Sequence, residues 1–145
     1  MIAIISAMQE EIQALLNELK NTEIIVKGMR KYYTGTLFDK KVVLVFSRWG
    51  KVASAATTTQ LINDYKPTEI IFTGVAGAIK NELNIGDVVI GRNLFQYDVD
   101  CSPIFEKFEI PILKEKYFTA DNTVQLISAT NLFLNNYNKF INSKD

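Results

Sequence analysis

Histidine is absent from this chain of 145 residues, and its single cysteine is Cys101. The first absence removes the commonest general base and metal ligand, so acid–base chemistry falls to carboxylates. The second excludes an internal disulfide. Net charge is missing as well: 16 basic and 16 acidic residues cancel, leaving no broad electrostatic footprint for nucleic acid or an anionic membrane. No apolar run reaches the ~18 residues of a membrane span. The apolar stretch Ile2 to Met8 has no basic segment before it and runs straight into Glu10 and Glu11, unlike a secretory signal. The expectation is a soluble cytoplasmic protein with no nucleic-acid or membrane partner.

What is present is an ordinary globular composition, 48% hydrophobic and 22% charged, which argues against disorder and for one domain over residues 1–145. Ile2-Ala-Ile-Ile5 reads as a strand covered on both faces. After it, Met8, Ile12, Leu15, Leu16 and Leu19 share one helical stripe at about 100° per residue. Glu10 projects almost opposite that stripe, whereas Glu11 lies at its border, roughly 85° from the middle. The two carboxylates therefore have different surroundings.

Ile24-Ile-Val26 is a weak strand candidate. Lys31 to Leu37 and Lys41 to Phe46 flank a turn at Asp39 and read as a hairpin. Gly50 opens a helix from Lys51 to Tyr65, stopped by Pro67, whose small residues suit close packing on a sheet. Glu69 to Thr73 is expected as another buried strand, leading into Gly74-Val-Ala-Gly77. Gly86-Asp87 then turns the chain into Val88-Val-Ile90, and Gln96 to Lys116, with Pro103 and Pro111, reads as a long irregular arm. A final helix is expected after Asp121, with Val124, Ile127, Leu132 and Leu134 on its apolar side. Alternating strands and helices give an α/β fold, a three-layer α/β/α sandwich around a mixed β-sheet.

Three loops follow inferred strands: Met8 to Glu11, Ser47-Arg-Trp-Gly-Lys51 and Gly74-Val-Ala-Gly77. Strand carboxyl ends are where open α/β sheets bind ligands, and a carboxylate in a first helical turn is favoured by the helix dipole. The dipole effect is only ~0.3–1 kcal/mol, so a glutamate there is also explained as a plain helix-stabilising charge. Glu10 is read that way. Trp49 either plugs the core edge or forms a ligand wall. The second loop lacks the spaced glycines and terminal Lys-Ser/Thr pair of a phosphate loop. Asp98 and Asp100 have no histidine and no third ligand near them in sequence, so turn formation or hydrogen bonding is preferred to metal binding. No metal or cofactor is expected.

In this order, Ile4-Ile-Ser-Ala-Met-Gln-Glu-Glu11, Tyr32-Tyr-Thr-Gly-Thr-Leu37, Trp49-Gly-Lys-Val-Ala-Ser-Ala55, Phe72-Thr-Gly-Val-Ala-Gly77, Asn84-Ile-Gly-Asp-Val-Val-Ile90 and Tyr97-Asp-Val-Asp100 resemble the N-terminal part of the nucleoside phosphorylase superfamily. The resemblance is strongest to the 5′-methylthioadenosine/S-adenosylhomocysteine nucleosidases. It implies a nucleoside phosphorylase-like fold, truncated at the C-terminus, and cleavage of an N-glycosidic bond to release adenine. It also implies that Glu11 orients and activates the attacking water, and that Met8 and Trp49 line the ribose and 5′-alkylthio pocket. Val75, Ala76 and Gly77 are the remaining candidate substrate-binding residues. Lys51-Val52 stands where related phosphorylases usually have Pro-Ser, which favours hydrolysis over phosphorolysis.

Two departures from the family are visible. Val75 replaces a serine that helps hold the water in many members. No position matches the strand that contacts adenine, the Met-Glu segment that grips the ribose, or the aspartate that protonates the leaving purine. The expected partners are an adenine nucleoside and either a second copy of the chain, reached by the segment around Cys101 to Phe105, or a complementary C-terminal fragment. The alternatives are a non-catalytic nucleoside-binding or oligomerising remnant, and a purine nucleoside phosphorylase relative.

Overall fold

The computed structural model describes residues 1–121, which fall into a first unit, Met1–Gly77, and a second beginning at Ala78. The helix expected after Asp121 lies outside the described residues.

In the first unit, β1 (Ile2–Ser6), β2 (Lys20–Lys27), β3 (Arg30–Leu37), β4 (Lys40–Phe46) and β5 (Glu69–Phe72) form one sheet, ordered β2-β3-β4-β1-β5. β1 runs parallel to β4 and β5, with Ile4 opposite both Leu44 and Ile71, while β3 is antiparallel to β2 and β4. The sheet is therefore mixed, as the alternation of elements predicts. Helix α1 (Gln9–Glu18) follows β1, and α2 (Lys51–Tyr65) connects β4 to β5.

Side chains of successive strand residues point to opposite faces, and the core divides accordingly. On one face Ile4, Tyr33, Leu37, Val42 and Leu44 pack with Ile12, flanked by Leu15, Leu16 and Leu19 of α1. On the other, Ala3, Ile5, Tyr32, Val43 and Val45 pack with Leu61 and Tyr65 of α2. Helices on both faces of a sheet make the three-layer sandwich. The Tyr32 and Tyr65 rings stack with centroids 5.7 Å apart.

The hairpin between β3 and β4 turns through Phe38 and Asp39, whose φ angles are 47° and 61°. Two successive positive φ values match the right-handed twist of the flanking strands, which is why a two-residue connection suffices. Gly35 lies where α1 ends: a β-carbon there would sit 2.6 Å from the Lys20 carbonyl oxygen and 2.8 Å from Leu19 Cγ.

Ile24-Ile-Val26 forms the strand expected of it, as part of an eight-residue β2 whose residues are all exposed, with an irregular register between Lys20 and Glu23. Two expectations need correction. β5 forms as expected but is not buried: Ile70 is 42% and Phe72 64% exposed. Among the described residues it is hydrogen-bonded to β1 alone, at the end of the strand order, so its side chains have neighbours on fewer sides than those of a central strand. In α2, Ala55 and Ala56 are exposed, whereas Thr57 and Leu61 are buried. At about 100° per residue, positions 53, 57 and 61 share the inward face and the adjacent alanines cannot.

In the second unit, β6 (Asn93–Leu94) pairs antiparallel with β7 (Phe118–Thr119), and the Ala120 N–H donates to the Arg92 carbonyl at 2.8 Å. The residues between them are irregular, apart from one bridge between Ile110 and Glu115. Phe95 and Phe108 meet edge to face at 5.8 Å, Lys107 Nζ lies 5.2 Å from the Phe108 ring centre, and Lys116 pairs with Glu106. Among the described residues Val88-Val-Ile90 joins no ladder. Among the described residues no helix is long and apolar enough to cross a membrane.

Candidate functional site

The three parallel strands end side by side. The ladder continues past them on both sides of β1, with the Ser47 N–H donating to the Ser6 carbonyl at 2.7 Å and the Thr73 N–H to the Ile5 carbonyl at 2.9 Å. The loops after β1, β4 and β5 are thereby gathered at one edge of the sheet. The chain leaves β1 for α1 on one face and leaves β4 for α2 on the other, and it is at such a divergence of neighbouring carboxyl ends that open α/β sheets bind ligands. Ser6 and Ser47, both buried, close their hydroxyl bonds locally, Ser6 Oγ to the Met8 carbonyl at 2.9 Å and Ser47 Oγ to the Arg48 carbonyl at 2.8 Å.

Glu11 stands at this edge. Met8 caps α1 with an extended backbone, which makes Glu11 the third residue of the helix. A glutamate there can reach back over the helix start. Its Oε2 accepts the Ala7 and Met8 N–H groups at 2.8 and 2.9 Å, while Oε1 accepts the Val75 N–H at 2.9 Å. The carboxylate thus ties the start of α1 to the loop after β5, 64 residues on.

Gly74 makes the approach possible. A β-carbon at that position would lie 2.7 Å from Glu11 Oε1 and 2.9 Å from its Cδ, closer than side-chain carbons pack. Glu10, one residue away in sequence, is exposed, whereas Glu11 is half-buried.

The Val75 N–H is the main influence holding the Glu11 carboxyl below its ordinary value of 4.5; partial burial opposes it, and the Met8 and Ala7 N–H groups add to the lowering. Donors aimed at the charged form stabilise it. Glu11 is accordingly ionised at neutral pH. Oε2 already takes two donors and Oε1 one, so Oε1 retains acceptor capacity for a ligand or a water.

Met8 contributes its backbone to the carboxylate cradle and its side chain is half-buried. Trp49 is 76% exposed and so does not plug the core edge. It sits between Arg48 at φ 72° and Gly50 at φ 90°. The Val75 side chain is 80% exposed and apolar, and only its N–H engages Glu11. Ala76 and Gly77 are exposed, and among the described residues a β-carbon at Gly77 would meet nothing within 4 Å. Ala7 and Gly74, by contrast, touch the carboxylate; Gly74 opens one of the three strand-end loops read from sequence, but neither residue is among the individual site candidates.

Asp100 Oδ1 accepts the Ser102 N–H at 3.1 Å. Among the described residues no three carboxylate, cysteine or histidine side chains cluster as a metal would require.

The sequence profile described as the phosphorylase superfamily matches residues 1–132. A 5′-methylthioadenosine/S-adenosylhomocysteine nucleosidase of Staphylococcus aureus strain JH9 is 40% identical over 129 residues, 88% of this chain and 57% of the relative. The nucleosidase of the same name from Neisseria meningitidis, solved with methylthio-immucillin-A, superposes with a TM-score of 0.86 at 31% identity, over 91% of this chain and 58% of that one. The futalosine hydrolase of Helicobacter pylori strain 26695 gives 0.80 at 29% identity, over 89% and 56%. The chain thus spans little more than half the length of the relatives it matches.

Proposed function

This chain belongs to the phosphorylase superfamily, and on that premise we propose that it is the water-activating part of a hydrolase cleaving the N-glycosidic bond of an adenine nucleoside with a 5′-thioether, 5′-methylthioadenosine or S-adenosylhomocysteine. The observation that carries the reading is the Glu11 carboxylate, held by three backbone N–H groups from the ends of β1 and β5. Its supports are the relatives, nucleosidases by name.

Cleavage of such a bond builds positive charge on the sugar, in an oxocarbenium-like state, before water has fully attacked. A fixed anion near that charge lowers its energy without reorganising. Glu11 is a weak base, since its carboxyl is held below the ordinary range. Weak basicity suffices here, because a water molecule bonding to a cation becomes strongly acidic and needs an oriented acceptor more than a powerful one. Oε1 is the oxygen with acceptor capacity left, and it takes that role. Met8 and Trp49 border the sugar and the 5′-substituent; Val75, Ala76 and Gly77 offer backbone groups to the same ligand.

Protonation of the departing adenine and the grip on the ribose hydroxyls match no position in this sequence. A complementary C-terminal segment supplies them, and the assembly is a cytoplasmic homodimer acting in nucleoside catabolism and methionine salvage. A second reading rests on Val75, whose exposed apolar side chain stands where the family's serine would steady the water: the chain binds adenine nucleosides without turning them over.

The test mixes the protein with the C-terminal part of the Staphylococcus aureus relative and measures adenine released from 5′-methylthioadenosine. Release that falls ~10²–10⁴-fold in Glu11→Gln supports the hydrolase. Release no greater than that of the variant removes it, and calorimetric binding of the nucleoside then favours the second reading. Release that depends on added phosphate indicates a phosphorylase.

A further inference from the structure

The loop that carries Trp49 is held from outside by two arginines. Arg30, the first residue of β3, sends Nη1 to the Gly28 carbonyl at 2.9 Å, Nε to the Ser47 carbonyl at 3.3 Å and Nη2 to the Ala53 carbonyl at 3.5 Å. Arg48 reaches the opposite way, Nη2 donating to the Met29 carbonyl at 2.7 Å. One guanidinium thus passes from the β2–β3 turn to the β4–α2 loop, and the other returns. Thr57 Oγ1 adds a bond to the Ala53 carbonyl at 2.7 Å and lies 3.4 Å from that of Ser47.

These contacts surround a backbone in an unusual conformation. Arg48 has a φ of 72°, a region that residues with a β-carbon rarely adopt, and Gly50 follows at 90°. Such a conformation persists only where surrounding bonds over-determine it, and its usual setting is a ligand-binding or catalytic loop. Here the kink has one consequence: the indole between the two positive φ angles is held out from the protein, 76% exposed, beside the carboxyl end of β4. A large aromatic ring presented by a well-bonded loop can meet an apolar ligand group at little ordering cost.

We propose that Arg30 and Arg48 are positioning residues, a reciprocal clasp that fixes the backbone carrying Trp49 and so sets where its indole stands as a wall for the apolar 5′-substituent of the nucleoside. The assignment of that ligand rests on the nucleosidase reading; the clasp does not. The planar fork of Arg30 is what spans three carbonyls, so a lysine keeping the charge restores only part of the effect.

Trp49 is the only tryptophan of the chain, so its fluorescence anisotropy decay reports this loop directly in the full-length protein. In Arg30→Met and Arg48→Lys the fast component of the decay should grow roughly two-fold as nanosecond loop motion is released, with an intermediate value in Arg30→Lys. Lys27→Met serves as the control, because Lys27 ends β2 beside the same turn but bonds Asp64, at 2.8 Å, and not the Trp49 loop; its decay should equal that of the unaltered protein. A decay unchanged in both arginine variants overturns the proposal, as does equal loosening in Lys27→Met. If Arg30→Met fails to fold by circular dichroism, Arg30→Lys and Arg48→Lys carry the comparison. With 5′-methylthioadenosine as probe, the same variants should raise the dissociation constant about three- to tenfold, the effect of having to order one freed side chain. Variants that loosen the indole in a protein with no affinity for the nucleoside uphold the clasp and count against the nucleosidase reading alone.

Discussion

The Glu11 carboxylate occupies the space that a side chain at residue 74 would fill, its Oε1 lying 2.7 Å from where a β-carbon on Gly74 would stand. Glycine at this position is what lets an acid from the first helix meet the loop after the fifth strand.

Gly74→Ala should therefore push the carboxylate off the Val75 N–H. The obstructing atoms are the tip of a side chain that can move aside, so the cost is that of a weakened hydrogen bond, about 0.5–1.5 kcal/mol, read as a lower denaturation midpoint. The more specific sign is electrostatic: the Glu11 carboxyl, followed by carbon-detected NMR, should titrate closer to its ordinary value in the variant. An unchanged titration would show that the carboxylate keeps its donors by another route.

The pH dependence has a defined sign. Glu11 has a carboxyl held below 4.5 in the folded chain, so the unfolded state takes up its proton first as pH falls. Its contribution to stability is fully present above the unfolded value and is lost as pH falls from there through the folded value. Glu11→Gln should lower stability at neutral pH by ~1 kcal/mol, a small figure because the group is only half-buried. The gap between the two proteins should close below pH 4.5 in thermal melts. A gap independent of pH would mean that the loss is one of packing.

Gly35→Ala tests a second close approach. Its β-carbon would meet a backbone carbonyl at 2.6 Å, and backbone cannot swing aside as a side-chain tip can. Destabilisation of roughly 1–3 kcal/mol or more is expected from urea unfolding.

The two-faced core predicts independence. Ile12 packs on one side of the sheet and Leu61 on the other. Ile12→Val should cost about 0.5–1.5 kcal/mol and Leu61→Ala about 2–5 kcal/mol. The double variant should lose their sum to within ~0.5 kcal/mol, as separated sites do. A marked departure from additivity would show that β1 and β4 transmit packing across the sheet.

Most of the sheet was legible because its signals are local. The β-branched run of β1, the hairpin around Asp39 and the span of α2 between Gly50 and Pro67 each depend on a few neighbouring residues. The stripe of α1 likewise separated Glu10 from Glu11, since direction around a helix follows from spacing alone. Exposure was less legible: Phe72 and Ile70 look like core residues until the strand order places β5 at the margin. Periodicity carries no record of which strand lies beside which. The role of Gly74 against Glu11, and Arg30 altogether, escaped for a related reason. What makes them matter is a partner far away in sequence, Glu11 for one and the carbonyls of Ser47 and Ala53 for the other.

β1 has its ladder filled on both sides by β4 and β5 and its side chains covered on both faces. Synthesis from the N-terminus produces it before either neighbour. The most enclosed strand of the sheet must therefore wait, unpaired, until residues 40–46 and then 69–72 have left the ribosome. A nascent chain halted short of the later segment exposes one whole flank of its own centre.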